Sequence, residues 1–182
     1  MDVAAFFNYA FQGVITYHDV GSTRYQYTVV MLPGELAAEL PLKKYPRLRI
    51  TGEANDIPFD AALTPFPGGW YILFSKKMLK VMEAGVGDEV ALRFSIADQN
   101  AVDIPPALDQ LLNQDNELFR QWQAQTPGNQ RGLAYRVATA KTEKTISRRL
   151  EEVAAILRGE RALRPPKKAK IPAESAHGEA NR

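Results

Sequence analysis

The chain has 182 residues, 45% of them apolar and 24% charged, with a formal net charge of +2, which suits one medium globular domain or two small ones. It contains no cysteine, so disulfides, thiolate metal sites and cysteine nucleophiles are excluded. No run approaches the ~18 apolar residues of a membrane-spanning helix, and Asp2 stands where a secretory leader carries basic residues, so the expectation is a cytoplasmic protein with no membrane insertion.

From Phe11 to about Ile96, β-branched and aromatic residues come in short runs divided by turn residues, the signal of strands. Phe11–Tyr17 and Tyr25–Met31 flank the turn-like segment His18–Ser22 and read as a hairpin. Arg47–Thr51 alternates strictly, and Tyr71–Phe74 and Glu89–Phe94 complete at least five strands, a number and spacing that predict a small barrel or sandwich. Two stretches within this region are alike at an offset of 42 residues: Val30–Leu40 and Ile72–Met82 each read as strand, then short helix. The same shift pairs Leu36 with Met78, Leu48 with Val90 and Ile50 with Leu92, which we read as a degenerate internal repeat.

The periodicity becomes helical after the polar connector Ala97–Ala101. Pro105-Pro106 opens a first helix, with Leu108, Leu111 and Leu112 at helical spacing. Leu118, Phe119 and Trp122 form a second apolar face, and Thr126-Pro127 reads as the cap and first position of a third helix holding Leu133, Val137 and Ala138. Ile146, Leu150, Val153, Ala154 and Leu157 make the stripe of a fourth helix, with Gly159 placed to end it. The expected organisation is α+β: a β-barrel domain over 1–102, a helical domain over 103–163, and a disordered basic tail over 164–182.

Thr126-Pro127-Gly128-Asn129-Gln130-Arg131-Gly132, followed by Ala140-Lys141, Arg148-Arg149-Leu150 and Gly159, resembles the YdeI/OmpD-associated, or bacteriocin-protection, family. Ile104–Leu108 resembles that family's entry into its first helix. Gly52, Asn55, Pro58-Phe59, Gly69, Tyr71 and Gly87–Val90 resemble the small domain of unknown function often fused ahead of it. The family pattern usually has Gly where Asp56 stands and Arg where Ile146 stands. The stretch Phe74–Leu79 followed by Gly87–Val90 also resembles the swapped-hairpin barrels of AbrB-like transition-state regulators, which implies a double-split barrel made from the tandem repeat. The family resemblance implies no reaction, cofactor or catalytic residue.

The residues themselves bring little catalytic chemistry together. His18, in the predicted turn, and His177, in the tail, have no spacing suited to a metal cluster or triad. Pro67-Gly68-Gly69 lacks the Lys-Ser/Thr of a phosphate loop, and Asp88-Glu89 reads better as a solvated turn than as a catalytic pair. Charge is more informative. Residues 131–149 hold six basic side chains, Arg131, Arg136, Lys141, Lys144, Arg148 and Arg149, against the single acid Glu143. Lys141, Lys144 and Arg148 would share a helical face if the helix reached back to Lys141, and such a surface can take a polyanion or an acidic protein partner. Its bland alternative is a solvated face with Arg148 paired to Glu151 or Glu152. Phe66, Trp70 and Tyr71 form a second candidate, a stacking surface, against the plainer role of core packing. The expectation is a non-enzymatic binding or stress- and bacteriocin-protection protein without a cofactor. A nucleic-acid-binding regulator and an uncharacterised enzyme are the alternatives.

Overall fold

The computed structural model describes residues 7–19 and 26–163. The expected tail over 164–182 and residues 20–22 of the predicted turn lie outside them. The chain divides into two compact units, Met1–Ala101 and Val102–Arg182.

The first unit runs β1 (Tyr9–Asp19), β2 (Gln26–Met31), α1 (Gly34–Glu39), β3 (Arg49–Ala54), β4 (Ile57–Ala62), β5 (Thr64–Phe66), β6 (Gly69–Leu73), α2 (Lys76–Met82) and β7 (Glu89–Ile96). All neighbours are antiparallel, in the order β4-β3-β7-β1-β2-β6-β5. Strand β1 pairs with β7 through Tyr9–Val14 and with β2 through Ile15–Asp19, so it leaves one four-stranded layer halfway along and enters another. The two end strands behave alike: only Leu63 separates β4 from β5, and its backbone N–H donates to the Leu48 carbonyl at 2.9 Å. One bent stretch of chain therefore supplies both ends of the sheet, which curls into a half-barrel. Inward residues of both layers, Ile15, Val30, Ile50, Ile72, Leu92 and Phe94, join one core and are at most 2% exposed.

The repeat is visible in the register. Pairing of β2 with β6 sets Val30 opposite Ile72, and pairing of β3 with β7 sets Gly52 opposite Phe94; both pairs are 42 residues apart in sequence. In an antiparallel pair of equivalent strands, the residue that faces its own equivalent marks a two-fold axis, so each layer has its local axis between its two central strands. Around these positions the equivalents Leu32 and Phe74, Leu48 and Val90, and Ile50 and Leu92 are all buried. The symmetry gives way at the second axis itself. A Cβ on Gly52 would lie 2.2 Å from the Arg93 carbonyl oxygen and 2.7 Å from Phe94 Cα, so only glycine fits there.

Strands β4 and β5 are absent from the expected set because Pro58 and Pro65 interrupt them. Each strand is the edge of its layer, where a missing N–H is tolerated. Asn55 and Asp56, at φ of 47° and 63°, form the two-residue turn between β3 and β4, with the left-handed backbone such a turn needs. Asn55 extends the ladder beyond its strand: its N–H donates to the Ala91 carbonyl and its Oδ1 accepts from Ala91 N–H, both at 2.9 Å. Asp56, in the place usually held by glycine, approaches Arg93 to 2.5 Å, while Arg93 Nε donates to Glu53 at 2.8 Å. The hydrogen bond that Arg93 donates to Glu53, with the nearby charges of Glu53 and Asp56, holds its guanidinium above its already high ordinary value.

The second unit holds α3 (Pro106–Gln114), α4 (Asn116–Gln123), α5 (Pro127–Ala138) and α6 (Glu143–Leu157). Each boundary has a local cause. Pro106 is pre-set for the first turn of α3. The Asp115 carboxylate accepts from Glu117 and Leu118 N–H at 3.0 Å to cap α4, and Thr126 and Thr142 cap α5 and α6. Helix α6 stops at Gly159 (φ 78°), where Gly159 N–H reaches the Ile156 carbonyl and Glu160 N–H the Ala155 carbonyl, the paired bonds of a glycine-ended helix. Leu108, Leu112, Leu118, Trp122, Leu133, Val137 and Val153 are all buried in this unit's core. Two positions differ from expectation: Phe119 is 40% exposed, and Ala138 is exposed while Ala134 takes the buried place, because each lies one residue round from the face that meets the neighbouring helices.

Candidate functional site

The basic surface is built where α5 turns into α6. Thr142 is the N-cap of α6, so Lys141 lies outside the helix and the expected three-residue helical face is corrected to two, Lys144 and Arg148, one turn apart. Lys141, Lys144 and Arg148 are all exposed. Arg148 stands 4.0 Å from Glu152, which also lies 3.6 Å from Arg161, a weak and shared partner at the surface.

Arg136 and Arg149 are half-buried and have structural work. Arg136 donates to the Leu163 carbonyl at 2.9 Å, tying α5 to the chain beyond α6. Arg149 donates to the Arg136 carbonyl and, at 2.7 Å, to Thr139 Oγ1, which ties α6 to the end of α5. These acceptors are neutral, so none of these bonds pairs a guanidinium with a negative charge. Arg131 is half-buried on α5. The structure thus brings Arg136, Arg149 and Thr139 into one bonded group and leaves Lys141, Lys144 and Arg148 as the outward members.

The aromatic candidates separate. Successive strand residues face opposite sides, so Trp70 packs on the barrel core while Tyr71 points away from it. Tyr71 is 5% exposed and meets Phe66 at 5.9 Å between ring centroids; His18 meets Phe66 at 5.1 Å and Tyr71 at 4.9 Å. These three rings cover one another, so Phe66, Trp70 and Tyr71 do not present one stacking platform. His18 was expected in a turn; β1 continues through it, opposite Tyr27. Asp88 is also a turn group, its Oδ2 accepting from Gly85 N–H at 2.8 Å.

Among the described residues, no group of three or more His, Asp or Glu side chains is arranged to hold a metal ion, no polar or charged residue is buried, and no helix is long and apolar enough to cross a membrane. No curated protein matches the chain. Residues 101–159 match the family model described as Bacteriocin-protection, YdeI or OmpD-Associated, and that match falls on the four helices just described, so it is the helical unit of this protein that is similar to that family.

Proposed function

We propose that the protein acts by binding rather than by catalysis, and that its helical unit offers a polyanion-binding surface formed by Lys141, Lys144 and Arg148. The observation that carries this reading is where the cations stand. Lys141 and Lys144 flank the N-terminal end of α6, where the helix dipole disfavours positive side chains and favours an approaching anion. Glu143 alone offsets them in the first turn, while the charges of Arg136 and Arg149 add to the local field.

The test compares the full-length chain with its K141Q/K144Q/R148Q variant, so that the segment after Leu163 is common to both. Binding to duplex DNA and to polyphosphate is measured across salt concentrations. Three working contacts contribute about −3 to the log–log salt slope for DNA, and the variant loses that share with its melting temperature nearly unchanged, as befits exposed residues. Equal slopes for the two proteins would remove these residues from any binding role. A preference for one polymer would separate nucleic-acid binding from general anion binding.

A further inference from the structure

An open groove in the β unit, beside Trp70, has the volume and lining of a small-molecule site. It holds about 650 Å³ between α1, the loop that follows it and the turn before β6, within the range usual for ligand pockets. Leu32, Leu42 and Trp70 supply apolar walls, and among the described residues the only charged side chains lining it are Lys43 and Lys44. Both lysines are exposed, and Lys44 Nζ lies 5.1 Å above the Tyr45 ring.

The internal repeat sets the lining of this groove apart from the matching positions of the other half. Gly34, Ala37 and Ala38 line the groove; at the 42-residue offset their equivalents are Lys76, Leu79 and Lys80. The half that carries the groove has small residues where the other has long ones. It also has Lys43 and Lys44 where the other has Gly85 and Val86. Nothing in the backbone asks for glycine at position 34: a Cβ there would meet no atom within 4 Å, and glycine is a poor helix residue. Its effect is to leave the groove open.

We infer that this groove binds a small carboxylic acid, its apolar body against Trp70 and the leucines and its carboxylate at Lys43 and Lys44. The pairing follows from complementarity, since an apolar cleft whose charged groups are all cations favours an amphiphilic anion over a neutral or basic molecule. Trp70 adds a reporter, for its Nε1 is buried without an acceptor and its resonance senses any movement of the groove wall.

The experiment titrates ¹⁵N-labelled full-length protein with decanoate and 1-naphthoate, and with decan-1-ol and 1-naphthylmethanol as neutral counterparts. The Trp70 indole N–H is assigned by its loss in Trp70→Phe. At least one acid is expected to shift that resonance saturably, and its neutral counterpart to bind about tenfold more weakly, the scale of a charge-assisted hydrogen bond. K43Q/K44Q should bring the acid down to the level of the alcohol, and Ala38→Leu, or Gly34→Leu if the first perturbs folding, should abolish the shift by filling the groove. The proposal is overturned if neither acid shifts Trp70, if the alcohols bind as well as the acids, or if a groove-filled variant with an otherwise unchanged spectrum still responds. An aliphatic preference would describe a chain-like body and an aromatic preference a planar one.

Discussion

The two strand–helix–strand halves of the β unit agree inside and differ outside. Buried equivalents keep their apolar character across the 42-residue offset, as Val30 and Ile72 or Leu48 and Val90 do. On the surface the order of charges is reversed. Helix α1 carries Glu35 and Glu39 and is followed by Lys43, Lys44 and Arg47, whereas α2 carries Lys76, Lys77 and Lys80 and is followed by Glu83, Asp88 and Glu89. Packing against a shared core holds the first set in place, because a buried methylene gained or lost is felt directly. Solvent imposes no such demand on the second, so the halves could acquire different surfaces on one scaffold. The groove beside α1 is one product of that freedom.

The sharpest way to break the comparison lies on the axis of the β3–β7 layer. Phe94→Ala should cost ~3–5 kcal/mol by leaving a cavity in the core, and Gly52→Ala ~1–3 kcal/mol or more by driving a Cβ into the Arg93 carbonyl. If chemical denaturation finds Phe94 and Gly52 no more sensitive than the off-axis Ile50→Val, at ~0.5–1.5 kcal/mol, this axis is not the constrained centre of the layer.

A smaller effect is expected at the turn where the halves diverge. Asn55→Ala removes the side-chain acceptor for Ala91 N–H and places alanine in a left-handed conformation that Asn tolerates better, for a loss of ~1–2 kcal/mol. Measured amide exchange should then quicken at Ala91 before it does at Val30, since β2 lies in the other layer. Uniform quickening would mean that the two layers open as one.

The smallest effect contrasts the β unit with the helical one. Asp115 is held below the usual carboxylate range, first by the Leu118 N–H it accepts and then by Arg158 and the Glu117 N–H. Its stabilising contribution is therefore complete above the ordinary carboxylate pKa and fades as pH falls through the lowered folded value. Asp115→Asn keeps a capping acceptor but cannot titrate, so it should lower stability slightly at neutral pH and leave the difference from wild type shrinking in acid. A difference that persists unchanged to acid pH would assign the effect to packing of the cap instead.

Much of the framework was legible in the chain. Apolar spacing located the helices, Thr126-Pro127 and Gly159 marked their ends, and the offset of 42 announced the repeat. These are local properties: a cap bonds to a backbone two or three residues away, and a buried stripe shows its period within a few turns. The basic cluster was visible for the same reason, as a count along the chain. Its division of labour was not. Arg136 and Arg149 face carbonyl and hydroxyl partners that only the packing of α5 on α6 brings within reach, and Lys141 lost its place on the helix to the cap at Thr142.

What the sequence alone determined, then, is the α+β composition, the repeat, the helix limits and the position of its positive charge. Tertiary structure decided which residues stand opposite one another. Only pairing at long range could bend β1 between two layers, set Val30 against Ile72 and Gly52 against Phe94, bring His18 to Phe66 and Tyr71, and hollow the space between α1 and Trp70. A side chain's partners across a sheet depend on register. Register is set by how whole strands bury their faces together, a condition that no single stretch of sequence contains.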